Sequence, residues 1–80
     1  MVNRVTSAQI RAARGLLNWS VRVLSEHSGA HRNTIVNFET GKSGGDPDAL
    51  ARLVIALEKA GVVFVPENGE GPGVRLRKAP

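Results

Sequence analysis

The sequence contains no cysteine. Disulfides and thiolate metal sites are therefore excluded. No apolar run approaches the length needed to span a membrane. The first ten residues, MVNRVTSAQI, hold no apolar stretch of the kind found in export signals. A cytoplasmic protein with no membrane contact is the expectation. No internal repeat or low-complexity segment is present. No cluster of acid, base and nucleophile stands out, so no enzymatic activity is expected. The two histidines, His27 and His31, are separated by a turn at Gly29 and lack companions to complete a ligand set. Neither a metal nor a cofactor is expected. The run Gly69-Glu70-Gly71-Pro72-Gly73 lacks the following helix and the lysine of a phosphate-binding loop.

What remains is a chain of 80 residues with a formal net charge of +4. That length makes one small domain with a modest core, a size at which oligomerisation often adds stability. The charge is unevenly placed. Residues 1–45 carry six basic side chains (Arg4, Arg11, Arg14, Arg22, Arg32, Lys42) against Glu26 and Glu39. Residues 46–80 carry five of each sign. The whole excess sits in the first half, which suits a polyanionic partner there.

Hydrophobic spacing and capping residues predict four helices. The first runs over Ser7–Leu17, with Thr6 and Gln9 as a capping box and Ile10, Ala13 and Leu17 on one face. Arg11 and Arg14 occupy adjacent faces. Gly15 weakens this helix by roughly 1 kcal/mol relative to alanine unless close packing needs it. Asn18 and Trp19 connect to a second helix, Val21–Ser28, capped by Ser20 and ended by Gly29 in a left-handed conformation. A third helix covers Arg32–Thr40, with Ile35 and Phe38 facing inward, Gly41 closing it, and Lys42–Gly45 forming a loop. Asp46 caps a fourth helix that starts at Pro47, carries Leu50, Leu53, Val54 and Leu57, and stops at Gly61.

Beyond Gly61 the pattern changes. Val62–Val65 is β-branched and aromatic, and Val74–Arg77 alternates apolar and basic residues. A β-hairpin with a loop of about eight residues follows. A lone two-stranded hairpin is marginal in water, so it packs on the helices, pairs with another subunit, or frays. Arg75, Arg77 and Lys78 suit either DNA backbone contact or the solvated side of an edge strand. The tail Lys78-Ala79-Pro80 is expected to be mobile.

The stretch Ser20–Gly41 meets the geometric demands of a helix-turn-helix. Gly29 tolerates the turn. Ser25 is small enough for close helix approach. Leu24, Ala30, Ile35 and Phe38 recur as core positions. An ordinary helical hairpin in a small bundle is the plainer alternative. Residues Gln9–Lys42, through QIRAARGLLNWS, LSEHSGAHRNTI and FETGK, resemble the lambda-repressor/Cro-like (Xre) family of transcriptional regulators.

The resemblance implies a mostly α, four-helix DNA-binding domain over residues 1–61. The hairpin and tail at 62–80 then extend the same compact unit. It implies a regulator, a repressor in the first instance, that reads double-stranded DNA as a homodimer with its third helix in the major groove. Arg32, Asn33 and Asn37, with His31 at the helix start, would face bases; Arg suits guanine and Asn suits adenine. Ser20, Arg22, Thr34 and Lys42 would face phosphates. Arg14 and Glu39 would form a structural ion pair. Two positions depart from the family: Val21 replaces a phosphate-contacting Gln, and His31 replaces a Ser or Thr cap. The alternative is a protein-interaction module of the same fold, such as an antitoxin that binds a toxin. Trp19 is read as core or staple, and His27 as a solvated surface residue.

Overall fold

A computed structural model describes residues 5–42 and 46–77. Residues 43–45 of the loop expected over Lys42–Gly45, and the tail expected at Lys78–Pro80, lie outside the described residues. The element order is α1 (Ser7–Leu17), α2 (Val21–Ser28), α3 (Arg32–Glu39), α4 (Pro47–Lys59), β1 (Val62–Val65) and β2 (Gly73–Leu76).

Local chemistry explains most of these boundaries. At the start of α1 the Gln9 N–H donates to Thr6 Oγ1 at 3.1 Å, and the Thr6 N–H donates to Gln9 Oε1 at 2.8 Å. Two otherwise orphaned amides are thereby satisfied. α1 ends where Asn18 turns left-handed, at φ 58. The Trp19 amide then reaches back to the Arg14 carbonyl at 2.9 Å. At α4, Pro47 takes the first turn as expected, whereas the Asp46 side chain makes no capping bond. Gly15 meets no close packing, since an added Cβ would touch nothing within 4 Å.

Three boundaries move by one residue: the end of α3 and both ends of β2, which spans Gly73–Leu76 rather than Val74–Arg77. α3 ends at Glu39 rather than Thr40. Gly41, at φ 77, closes it, with its amide bonded to the Phe38 carbonyl and the Lys42 amide to the Asn37 carbonyl. Those paired bonds form a Schellman cap, which needs a left-handed residue just past the helix and leaves Thr40 at its edge. β2 starts at Gly73 rather than Val74, because the antiparallel ladder continues to the pair Val65↔Gly73. The hairpin loop, residues 66–72, is correspondingly shorter. Glu67 folds it by accepting the Gly69 and Gly71 amides at 2.8 and 3.0 Å.

The core draws on every helix and on β1. Ile10, Leu24, Ile35, Leu53, Leu57 and Val62 are its largest fully buried side chains. Phe64 and Val74 pack against it from the hairpin. Of the three fates open to the hairpin in sequence, packing on the helices is the one observed. Gln9, only 5% exposed, fastens it. Its amide nitrogen donates to the Val65 carbonyl at 3.3 Å and the Gly73 carbonyl at 2.9 Å. At the other end Arg77 donates to the Glu58 carbonyl at the end of α4. A side chain that caps its own helix and anchors a distant hairpin serves two levels of structure together. Gln9→Ala is expected to destabilise the fold by about 1–3 kcal/mol, the cost of leaving buried polar groups unpaired. Urea unfolding measures the loss, and hydrogen exchange should show the β1 and β2 amides losing protection ahead of those in α2 and α3.

Candidate nucleic-acid interface

The turn between α2 and α3 is held on both sides of Gly29, which stands at φ 78. Ser25 Oγ donates to the Ala30 carbonyl at 2.6 Å, and Ser28 Oγ accepts the Ala30 amide at 3.1 Å. Sequence spacing singles out Ser25 as merely small. Its hydroxyl also ties the turn down, and Ser28 does the same. The signal for both is a pair of serines, four residues and one residue before the helix-ending glycine.

α3 divides cleanly into two sides. Ile35 and Phe38 enter the core, and Glu39 lies beside them at 4% exposure. Such a carboxylate is tolerable only if its charge is matched. Arg14 of α1 matches it with two parallel bonds, Nε to Oε2 at 2.8 Å and Nη2 to Oε1 at 2.7 Å. The third guanidinium nitrogen donates to the Trp19 carbonyl at 2.9 Å. The Arg14 pKa is raised above its usual value, chiefly by the hydrogen bond to Glu39 and further by that residue's charge, against the opposing effect of burial. Arg11, one turn before Arg14 on α1, donates from Nη1 to the Glu39 carbonyl. The end of α3 is therefore gripped twice from α1. Arg11 and the Trp19 carbonyl are participants that the sequence does not announce.

Trp19 packs against the core as read, and its ring stacks on His27 with centroids 4.3 Å apart and planes at 21°. His27 is exposed but has a specific partner. The Trp19 ring is thereby committed on one face.

The opposite side of α3 is open. His31, Arg32 and Asn33 are exposed, Thr34 is half-buried, and the four line an open polar recess of about 410 Å³. His31 has extended backbone and makes no capping bond, so its ring is free of a structural task at the helix start. Asn37 is half-buried one turn along. Lys42 is exposed just past the end of α3. Ser20 and Arg22 form a separate group at the start of α2, both exposed. Ser20 Oγ already accepts the Val23 amide at 3.1 Å, which leaves its hydroxyl proton available to an outside acceptor. Arg14 and Glu39 thus stand together on the inner side, apart from the recess residues.

Among the described residues no group of three or more His, Asp or Glu is placed to hold a metal ion. No helix among them is long and apolar enough to cross a membrane. No protein-family model matches the chain, and no curated protein matches it.

Removing one partner of a buried ion pair leaves the other uncompensated, so Glu39→Gln is expected to lower stability by about 2–3 kcal/mol. The double change Arg14→Met with Glu39→Leu should lose less than the sum of the two single changes. Urea midpoints for the four proteins check this cycle.

Proposed function

We propose that the chain is a sequence-specific, double-stranded DNA-binding regulator of transcription, acting as a repressor. In this reading α3 enters the major groove. The observation that carries it is the division of α3: its inner side is clamped through Glu39, while the side chains of Arg32, Asn33 and His31 stand exposed at its start with no hydrogen-bond partner among the described residues. Side chains held by a rigid helix yet free of internal bonds are what base reading requires. The charge excess in residues 1–45 suits a polyanionic partner, because phosphate neutralisation supplies the sequence-independent part of DNA affinity.

Roles follow from donor and acceptor geometry. Arg32 offers two parallel donors to guanine O6 and N7, and Asn33 offers a donor and an acceptor to adenine. His31 and Asn37 complete the base-facing set from either end. Ser20, Arg22, Thr34 and Lys42 reach phosphate oxygens and fix the register. Repression needs no more than occupancy of the site.

Arg32→Ala and Asn33→Ala should each weaken binding to a selected duplex by about 1–3 kcal/mol and relax preference at one base pair. Arg22→Ala and Lys42→Ala should weaken all sequences alike and flatten the salt dependence by about one contact each. Fluorescence anisotropy across a salt series separates the two patterns. Unaltered binding by both Arg32→Ala and Asn33→Ala would remove α3 as the reader.

The protein binds as a homodimer, with half-sites about one helical turn, near 34 Å, apart. The hairpin is the proposed contact between subunits. Val62 is buried in the core and Phe64 packs against it, so strand alternation turns Val63 and Val65 to the other side of the sheet, where they remain half-buried. Val63 stands opposite Arg75 in the ladder. Val63→Glu therefore gains a cross-strand partner and keeps the hairpin while replacing an apolar contact residue with a charged one. Sedimentation equilibrium should find the variant monomeric; a dimer of unchanged stability would move the contact to α4.

A further inference from the structure

Val36 is an apolar side chain on the wrong side of α3 for folding. It is 42% exposed and belongs to neither the buried core nor the apolar residues packed against it. Valine is among the poorer helix formers, and water-exposed methyl groups add nothing to stability. The position is nonetheless specific. Val36 follows Arg32 by four residues and Asn33 by three, the spacing that places side chains together on a helix surface. Its other neighbour on that surface, Thr40, is engaged: the hydroxyl donates to the Val36 carbonyl at 2.8 Å. Two outward polar readers therefore flank one stiff, branched apolar knob, since β-branching restricts the side chain to few rotamers.

The major-groove edge of DNA offers one apolar feature, the methyl group on C5 of a pyrimidine. In unmodified DNA that group marks thymine, and 5-methylcytosine carries the same group. We infer that Val36 is a specificity-determining residue of α3 that packs on a pyrimidine C5-methyl, thymine in the preferred site, beside the bases read by Arg32 and Asn33. The inference rests on the proposal that α3 reads DNA. It adds a contact that hydrogen-bond inventory overlooks, because valine has no polar atom to place. Val36 excludes nothing by charge; it rewards a methyl where it stands and leaves a gap where the methyl is missing.

The test begins with selection of preferred duplexes from a random pool by the full chain. Each thymine of the selected half-site is then replaced by uracil, which removes only the methyl group. One replacement should weaken binding about fourfold, the worth of one buried methyl. The same replacement should leave Val36→Ala unaffected. Replacing that thymine–adenine pair with 5-methylcytosine–guanine tests the other source: wild-type protein should favour it over plain cytosine–guanine, and Val36→Ala should not. Circular dichroism checks that Val36→Ala keeps the fold, as its exposure leads one to expect. Uracil that is silent at every thymine, or equally costly in both proteins, would overturn the role of Val36 and leave α3 as the reader. A selection that enriches no sequence would overturn the DNA-reading proposal itself, and this inference with it.

Discussion

The ion pair between Arg14 and Glu39 is the contact on which the rest depends. Burying a carboxylate costs several kcal/mol unless a partner and further hydrogen bonds offset it. Here the partner comes from a helix 25 residues away in sequence. Its planar fork meets both carboxylate oxygens, which fixes orientation as well as distance. A bond of that kind has one good geometry, so α3 has one good position against α1. Arg11 narrows the choice further by holding the carbonyl of the same residue. α1 is consequently more than a layer of the core. Gln9 holds the hairpin, Ile10 and Ala13 fill the interior, and Arg11 and Arg14 hold α3.

This arrangement confines the structural duties of α3 to one side. Ile35, Phe38 and Glu39 carry them. The serine bonds around Gly29 set the angle at which α3 departs from α2. Among the described residues, nothing then draws on the side chains of His31, Arg32, Asn33 or Val36. A small domain has little surplus stability, so a helix face without a folding role is available to evolve toward a partner. The polar recess at the start of α3 and the charge excess of the first half fall in the same region of sequence.

The helices were largely legible because their signals are local. Thr6 with Gln9, Ser20, Gly29, Pro47 and Gly61 each mark an end through bonds or backbone preferences reaching only a few residues. The shifted ends have local causes as well: a Schellman cap at Gly41, and a ladder that runs one pair further to Gly73. Long-range contacts were less legible. Spacing alone does not pair Arg14 with Glu39; the family resemblance does. The bonds from Gln9 to carbonyls 56 and 64 residues away had no sequence signal, because its capping role already accounted for it. Arg11 reads as one more surface arginine until α3 is in place. Of the residues proposed to face DNA, Ser20, Arg22, His31, Arg32, Asn33 and Lys42 are exposed, while Thr34 and Asn37 are half-buried. Val36 carries no donor or acceptor, so an inventory of hydrogen-bonding side chains does not find it.

The central claim is that the open side of α3 meets DNA. Titration of isotope-labelled protein with a selected duplex, followed by amide and side-chain chemical shifts, tests it residue by residue. The account predicts the largest changes at His31, Arg32, Asn33, Val36 and Asn37, with smaller ones at Ser20, Arg22 and Lys42. Changes confined to the hairpin or to the outer face of α4, with the α3 signals still, would contradict it.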